Sequence, residues 1–151
     1  MQVNAYTISL FAAALVSAGL SWYAWRRRSV EGGAEIAVLM LSVTLWALFQ
    51  CLEGVAATRV AKMFWGTMGY LGSQTTPVLF LVFAVKYTHH EEWLNWKRIA
   101  LMFVLPLASV LLAATSGLQH HLWRSVTITT TFAGKTGVYS HGPWYWVESA
   151  Y

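Results

Sequence analysis

Four long apolar runs constrain this chain more than any other feature. They lie within residues 6–25, 36–52, 63–85 and 99–116, and none contains an Asp, Glu, Lys or Arg. The hydrocarbon core of a bilayer is crossed by roughly 20 residues of α-helix. The runs therefore predict membrane spans at about 6–25, 35–57, 63–87 and 99–116. Soluble core helices are apolar too, but a chain of 151 residues cannot bury four such helices in water. Charge points the same way. Only 11% of residues are charged, against about 25% in an ordinary soluble domain. A lipid-facing surface needs no charged cover. These figures argue against a disordered chain, a soluble enzyme and a nucleic-acid binder. The net charge of +4 is scattered, not gathered into a footprint for a polyanion. Cys51 is the single cysteine, which excludes an internal disulfide and a zinc site of several cysteines.

Orientation is read from the ends of the runs. Residues 1–5 hold no Lys or Arg, whereas a cleaved signal peptide carries a basic leader. The positive charge follows the first run instead, as Arg26, Arg27 and Arg28. This predicts a retained first span with the N-terminus outside, in a multi-pass protein of the inner membrane. The inner loops then hold Arg26, Arg27, Arg28, Lys86, Lys97 and Arg98. The outer loops hold Arg59, Lys62, Arg124 and Lys135. Tryptophans such as Trp22, Trp25, Trp65, Trp93 and Trp96 cluster at the expected span ends, where amphipathic rings favour the headgroup zone. A fifth span is expected to begin near Trp144. The sequence ends at Tyr151 without a polar tail, as a piece of a longer protein would.

The expected outer loop, 117–143, contains a β-branched stretch at 126–132. Ala133-Gly134-Lys135-Thr136-Gly137 has turn composition, and Val138-Tyr139 suit a return strand. A small hairpin is expected there. The fold class is thus all-α, a polytopic transmembrane bundle with a small extracytoplasmic loop or β-hairpin.

Three motifs with chemical overtones are set aside. His90-Glu91 has the look of a phospho-acceptor followed by an acid, but it sits in a short loop between two spans. Gly134-Lys135-Thr136 ends like a phosphate-binding loop, yet position 129 is Thr where that loop needs Gly. His120, His121 and His141 have ring nitrogens that suit zinc or copper. Adjacent residues on an extended segment point in opposite directions, however, and a structural role beside Trp123 is the expectation. No metal and no cofactor is expected.

The remaining candidate lies within the membrane. Glu53 falls near the outer end of the second span, with Gln50 and Trp46 on the same helix face. Tyr70, Ser73, Gln74 and Pro77 occupy neighbouring faces of the third span. Polar groups in hydrocarbon are costly unless paired or facing a cavity. The expectation is a ligand or signal pocket lined by Trp46, Gln50, Glu53, Tyr70 and Gln74. The competing expectation is plain interhelical hydrogen bonding, with Glu53 pairing with Arg59 or Lys62. Gly66, Gly69, Gly72 and Ser73 are small residues on the third span, and Gly69 with Ser73 forms a small-xxx-small pair that permits close helix approach.

The ordered set of motifs resembles the N-terminal seven-transmembrane sensor region of bacterial and archaeal histidine kinases. The resemblance rests on Trp25 with Arg26-Arg27-Arg28, and on Leu45-Trp46-Ala47-Leu48 followed by Leu52-Glu53. It continues through Lys62, Trp65, Tyr70-Leu71-Gly72, Pro77 and Lys86-Tyr87-Thr88. Pro106, His120-His121-Leu122-Trp123 and Gly142-Pro143-Trp144-Tyr145-Trp146 complete it. It departs in length, with four spans and the start of a fifth. The resemblance implies a signal-input region that detects an extracellular or membrane cue and is not itself catalytic. It also implies a kinase domain downstream in the same chain and a homodimer. The partners expected are the lipid bilayer and an unknown small-molecule or membrane signal. Similar regions precede other outputs, such as diguanylate cyclases. A transporter or channel fragment is the alternative, kept open by Pro77, and a purely structural anchor is a third.

Overall fold

The computed structural model describes residues 5–114, 123–131, 134–141 and 146. Four helices follow one another: α1 (Ala5–Arg26), α2 (Gly33–Val55), α3 (Arg59–Tyr87) and α4 (Trp96–Ala114). A two-stranded antiparallel hairpin comes after them, β1 (Trp123–Thr131) and β2 (Gly134–His141). The fold class expected from the sequence is the one found. The start of a fifth span falls outside the described residues, apart from Trp146, which is helical.

Each helix boundary has a local cause. Gly32 adopts φ +76°, a left-handed conformation that costs glycine nothing, and so turns α1 back into α2. A Cβ on the next residue, Gly33, would fall 2.5 Å from the Arg27 carbonyl oxygen. That turn thus needs both glycines. At the other end of α2, the Ala56 N–H donates to the Leu52 and Glu53 carbonyls, and Thr58 accepts from the Ala61 N–H to start α3. This cap explains why α3 begins at Arg59 and not at Met63, where the uncharged run opens. A 3₁₀ turn at Glu91–Trp93 links α3 to α4.

The packing inverts that of a soluble protein. Large apolar side chains such as Ile8, Leu15, Leu20 and Val60 face outward, whereas Thr7, Ala14, Ser17, Ala37, Ser42 and Ala47 are buried. In lipid, greasy side chains gain nothing by leaving the surface, and helices associate through small residues and hydroxyl bonds. α1, α2 and residues 60–87 of α3 are long and apolar enough to cross a membrane. Hydroxyls stitch them together. Ser21 donates to the Ala37 carbonyl at 2.7 Å, Thr44 to the Ser17 hydroxyl at 3.0 Å, and Ser42 and Thr76 lie 3.0 Å apart. Cys51 donates to the Thr7 carbonyl at 3.6 Å.

At the end carrying the arginines, Lys86 of α3 pairs with Glu35 of α2 at 2.5 Å. His89 Nδ1 lies 3.1 Å from the Glu31 carboxylate. Arg26, Arg27 and Arg28 each lie over an aromatic ring of α1: Trp22, Tyr23 and Trp25. Cationic side chains over aromatic rings suit the membrane–water boundary.

The hairpin corrects one detail. Gly134 to Gly137 are strand residues, paired with Thr131 to Ile128, and do not form the turn. The run of β-branched residues in β1 extends the ladder through a segment whose own composition favours a turn. The Gly-Lys-Thr triplet therefore lies in a strand, without the strand-to-helix setting of a phosphate-binding loop.

Candidate functional site at the α2–α3 seam

The polar face of α2 rests on a glycine stripe of α3. Gly66, Gly69 and Gly72 recur every third residue and line one side of the helix. Gly72 meets the backbone of α2 directly. A Cβ there would lie 2.7 Å from the Trp46 nitrogen and Cβ and 2.8 Å from the Ser42 carbonyl oxygen. One turn along, a Cβ on Gly69 would lie 3.9 Å from the Gln50 amide nitrogen. On Gly66 it would lie 3.3 Å from the Glu53 carboxylate. The separation widens from Gly72 toward Gly69, as backbone contact gives way to side-chain contact. Trp46, Gln50 and Glu53 are thus brought to one surface, in that order, against Gly72, Gly69 and Gly66.

Tyr70 follows Gly66 by one turn and is half-buried. Gln74 is also half-buried, about 80° around α3 from Gly66 and farther from Gly69 and Gly72. The close approach therefore runs through Gly66, Gly69 and Gly72. Ser73, the partner of Gly69 in the expected small-residue pair, falls between Gly66 and Gly69 around α3, on the same face.

Lys62 enters the same region and was not among the expected pocket residues. It is only 5% exposed, and its ammonium donates to the Glu53 main-chain carbonyl at 3.0 Å. That carbonyl belongs to the last turn of α2, where the helix dipole concentrates partial negative charge. Of the two expected partners of Glu53, Lys62 reaches its main-chain carbonyl, and the side chain of Arg59 lies outside the described residues. Phe49 stacks on Trp65, with centroids 6.0 Å apart, and Trp65 meets Phe64 edge-on.

Two hydroxyls extend the seam toward the opposite end. Ser42 and Thr76 bond across it, and Thr76 also donates to the Gly72 carbonyl at 2.7 Å. Pro77 follows immediately. Lacking an N–H, it cannot bond the Ser73 carbonyl four residues back, so α3 is weakened just where the close contact ends. The sequence signal for Ser42 and Thr76 was slight, since isolated hydroxyls in an apolar run look alike whichever way they face.

Chemically, the seam offers a carboxylate, an amide, a buried ammonium and aromatic rings, without a nucleophile–base set. Among the described residues no three of His, Cys, Asp or Glu come together to hold a metal. Of His120, His121 and His141, the first two lie outside the described residues, and His141 ends β2.

No curated protein and no solved structure matches the chain. One family does, that described as the N-terminal 7TM region of histidine kinase, over residues 9–151. The hydroxyl-stitched membrane helices and a match across nearly the whole sequence lead to one conclusion: this chain belongs to the family of seven-transmembrane sensor regions found at the N-terminus of histidine kinases.

Proposed function

We propose that this region detects an extracellular or membrane-borne cue and relays it, by movement at the α2–α3 seam, to a kinase domain that follows in the same chain. The observation that carries this reading is the contact of Gly72 with the α2 backbone, five residues before Pro77 and beside polar side chains. A glycine stripe interdigitates little with its partner. Two helices in such contact can shift along one another without first unpacking large side chains. A ligand meeting Trp46, Gln50, Glu53, Tyr70 and Gln74 would bias that equilibrium, provided it binds the two arrangements unequally. The carboxylate and amide favour a ligand that donates hydrogen bonds. In this reading the protein is a homodimer in the inner membrane, with its N-terminus and the seam's Glu53 end outside. The Glu35–Lys86 pair then lies on the side of the kinase and couples α2 to α3 there.

The test uses the full-length kinase in its native membrane. Ser42→Cys with Thr76→Cys replaces two hydroxyls that are 3.0 Å apart with a pair able to cross-link the seam. Oxidation is expected to freeze autophosphorylation at one level across growth conditions, and reduction to restore its variation. Unchanged variation in the cross-linked protein would remove the seam from the relay. Separately, Gln50→Leu with Glu53→Gln is expected to abolish the response while leaving basal autophosphorylation in place. An intact response would defeat the pocket.

A further inference from the structure

We propose that the groove between α3 and α4 at the arginine end binds an anionic phospholipid, with one acyl chain in the groove and the phosphate at Arg98 and Lys97. The groove is walled by Leu81 and Val85 of α3 and by Ile99, Leu101 and Met102 of α4. Its volume is about 260 Å³. That is below the roughly 300–1,000 Å³ typical of sites for compact drug-sized ligands, and suits a single narrow chain. Leu101 is 72% exposed, so the groove opens sideways into the region of the lipid tails.

The rim is what selects the lipid. Arg98 lines the groove mouth. Its guanidinium lies over the Trp93 ring, 5.3 Å from the centroid, and donates to the Trp93 carbonyl at 3.3 Å. Neither contact neutralises it. Among the described carboxylates at this end, Glu35 faces Lys86, Glu31 faces His89, and Glu92 is exposed on the 3₁₀ turn. Lys97 stands next to Arg98, and the first turn of α4 carries no acidic residue. Two cations at the positive end of a helix repel its dipole, and a phosphate removes that repulsion. A free phosphate would satisfy the charges but leave the apolar groove unused. A choline lipid would fill the groove but bring its own cation to the rim. An anionic phospholipid meets both demands. The exposed rings of Trp93 and Trp96 place the rim at headgroup depth.

The experiment is native mass spectrometry of the full-length protein in detergent, titrated with phosphatidylglycerol and, separately, phosphatidylcholine. Phosphatidylglycerol is expected to bind at least about fivefold more tightly, as one basic side chain near an anionic headgroup implies. Arg98→Gln is expected to lower that preference severalfold and leave phosphatidylcholine binding as it was. Arg98→Lys should keep it, and both variants should melt like the parent. A photo-crosslinking residue at Leu101 should label lipid. Equal binding of the two lipids, an unchanged preference in Arg98→Gln, or a crosslink to another part of this chain or to a second copy would each overturn the proposal.

Discussion

The two faces of α3 make opposite kinds of contact. Toward α2 it presents Gly66, Gly69 and Gly72 and approaches until backbone meets backbone. Toward α4, near its arginine end, it presents Leu81, Val82 and Val85 and leaves an open groove. Both neighbours are apolar helices of similar kind, so hydrophobicity does not explain the difference. Side-chain size does. In lipid there is no solvent to squeeze helices together. Contact is close only where residues are small enough to permit dispersion and hydroxyl bonding. Branched side chains hold the helices apart, and the space left over is available to a lipid tail.

The largest effect is expected at Gly72. Gly72→Ala places a methyl carbon against main-chain atoms of Trp46 and Ser42 that cannot rotate aside. Overpacking of this kind costs about 1–3 kcal/mol. A marked drop in the unfolding midpoint in detergent is expected. Val85→Leu, which adds a methylene beside the groove, should leave that midpoint in place. If both variants behaved alike, the contrast between the two faces would be lost.

Lys62→Met is expected to be next in size. It removes a buried charged donor from the Glu53 carbonyl, a class of bond worth about 1.5–3 kcal/mol. Methionine retains much of the apolar stem, so the observed loss should fall toward the lower end of that range. Thr44→Val, which deletes the bond to Ser17, should cost only about 0.6 kcal/mol. Equilibrium unfolding resolves the two if Lys62→Met is clearly the weaker protein. The smallest effect is expected at Gly69. Gly69→Ala meets only the Gln50 amide at 3.9 Å, and alanine improves helix propensity by up to about 1 kcal/mol. It should unfold no earlier than the parent. Opposite outcomes for Gly69 and Gly72, three residues apart on one helix face, would sharpen the account of the seam.

Much of this was legible from the chain itself. Apolar run length placed all four helices, because a bilayer of fixed thickness demands a fixed number of residues. The β-branched run at 126–131 announced the hairpin, since strand propensity is a local property. Trp46, Gln50 and Glu53 could be assigned to one face of α2 by helical periodicity alone. Their counterpart could not. Periodicity places residues around a helix but does not say which sector its neighbour occupies. Tyr70 and Gln74 stood out because they are large and polar. The residues that touch α2 most closely are three glycines, which the sequence marks as small enough for close approach without saying which helix they meet. Lys62 reads in the sequence both as a loop cation and as a partner of Glu53; it is a buried donor to the Glu53 carbonyl, because the Thr58 cap starts α3 earlier than hydropathy suggests.

Composition and periodicity thus determined the solvent, the helices and their order, because these follow from interactions between each residue and its surroundings. The partner of each helix face depended on the tertiary structure. Helix–helix registry turns on distances of a few tenths of an ångström between atoms far apart in sequence, as between Gly72 and the Trp46 nitrogen, and no local pattern encodes them. The same holds for the groove beside Arg98. It exists because α3 and α4 separate just where two cations gather, a coincidence of geometry and charge that only the packed helices create.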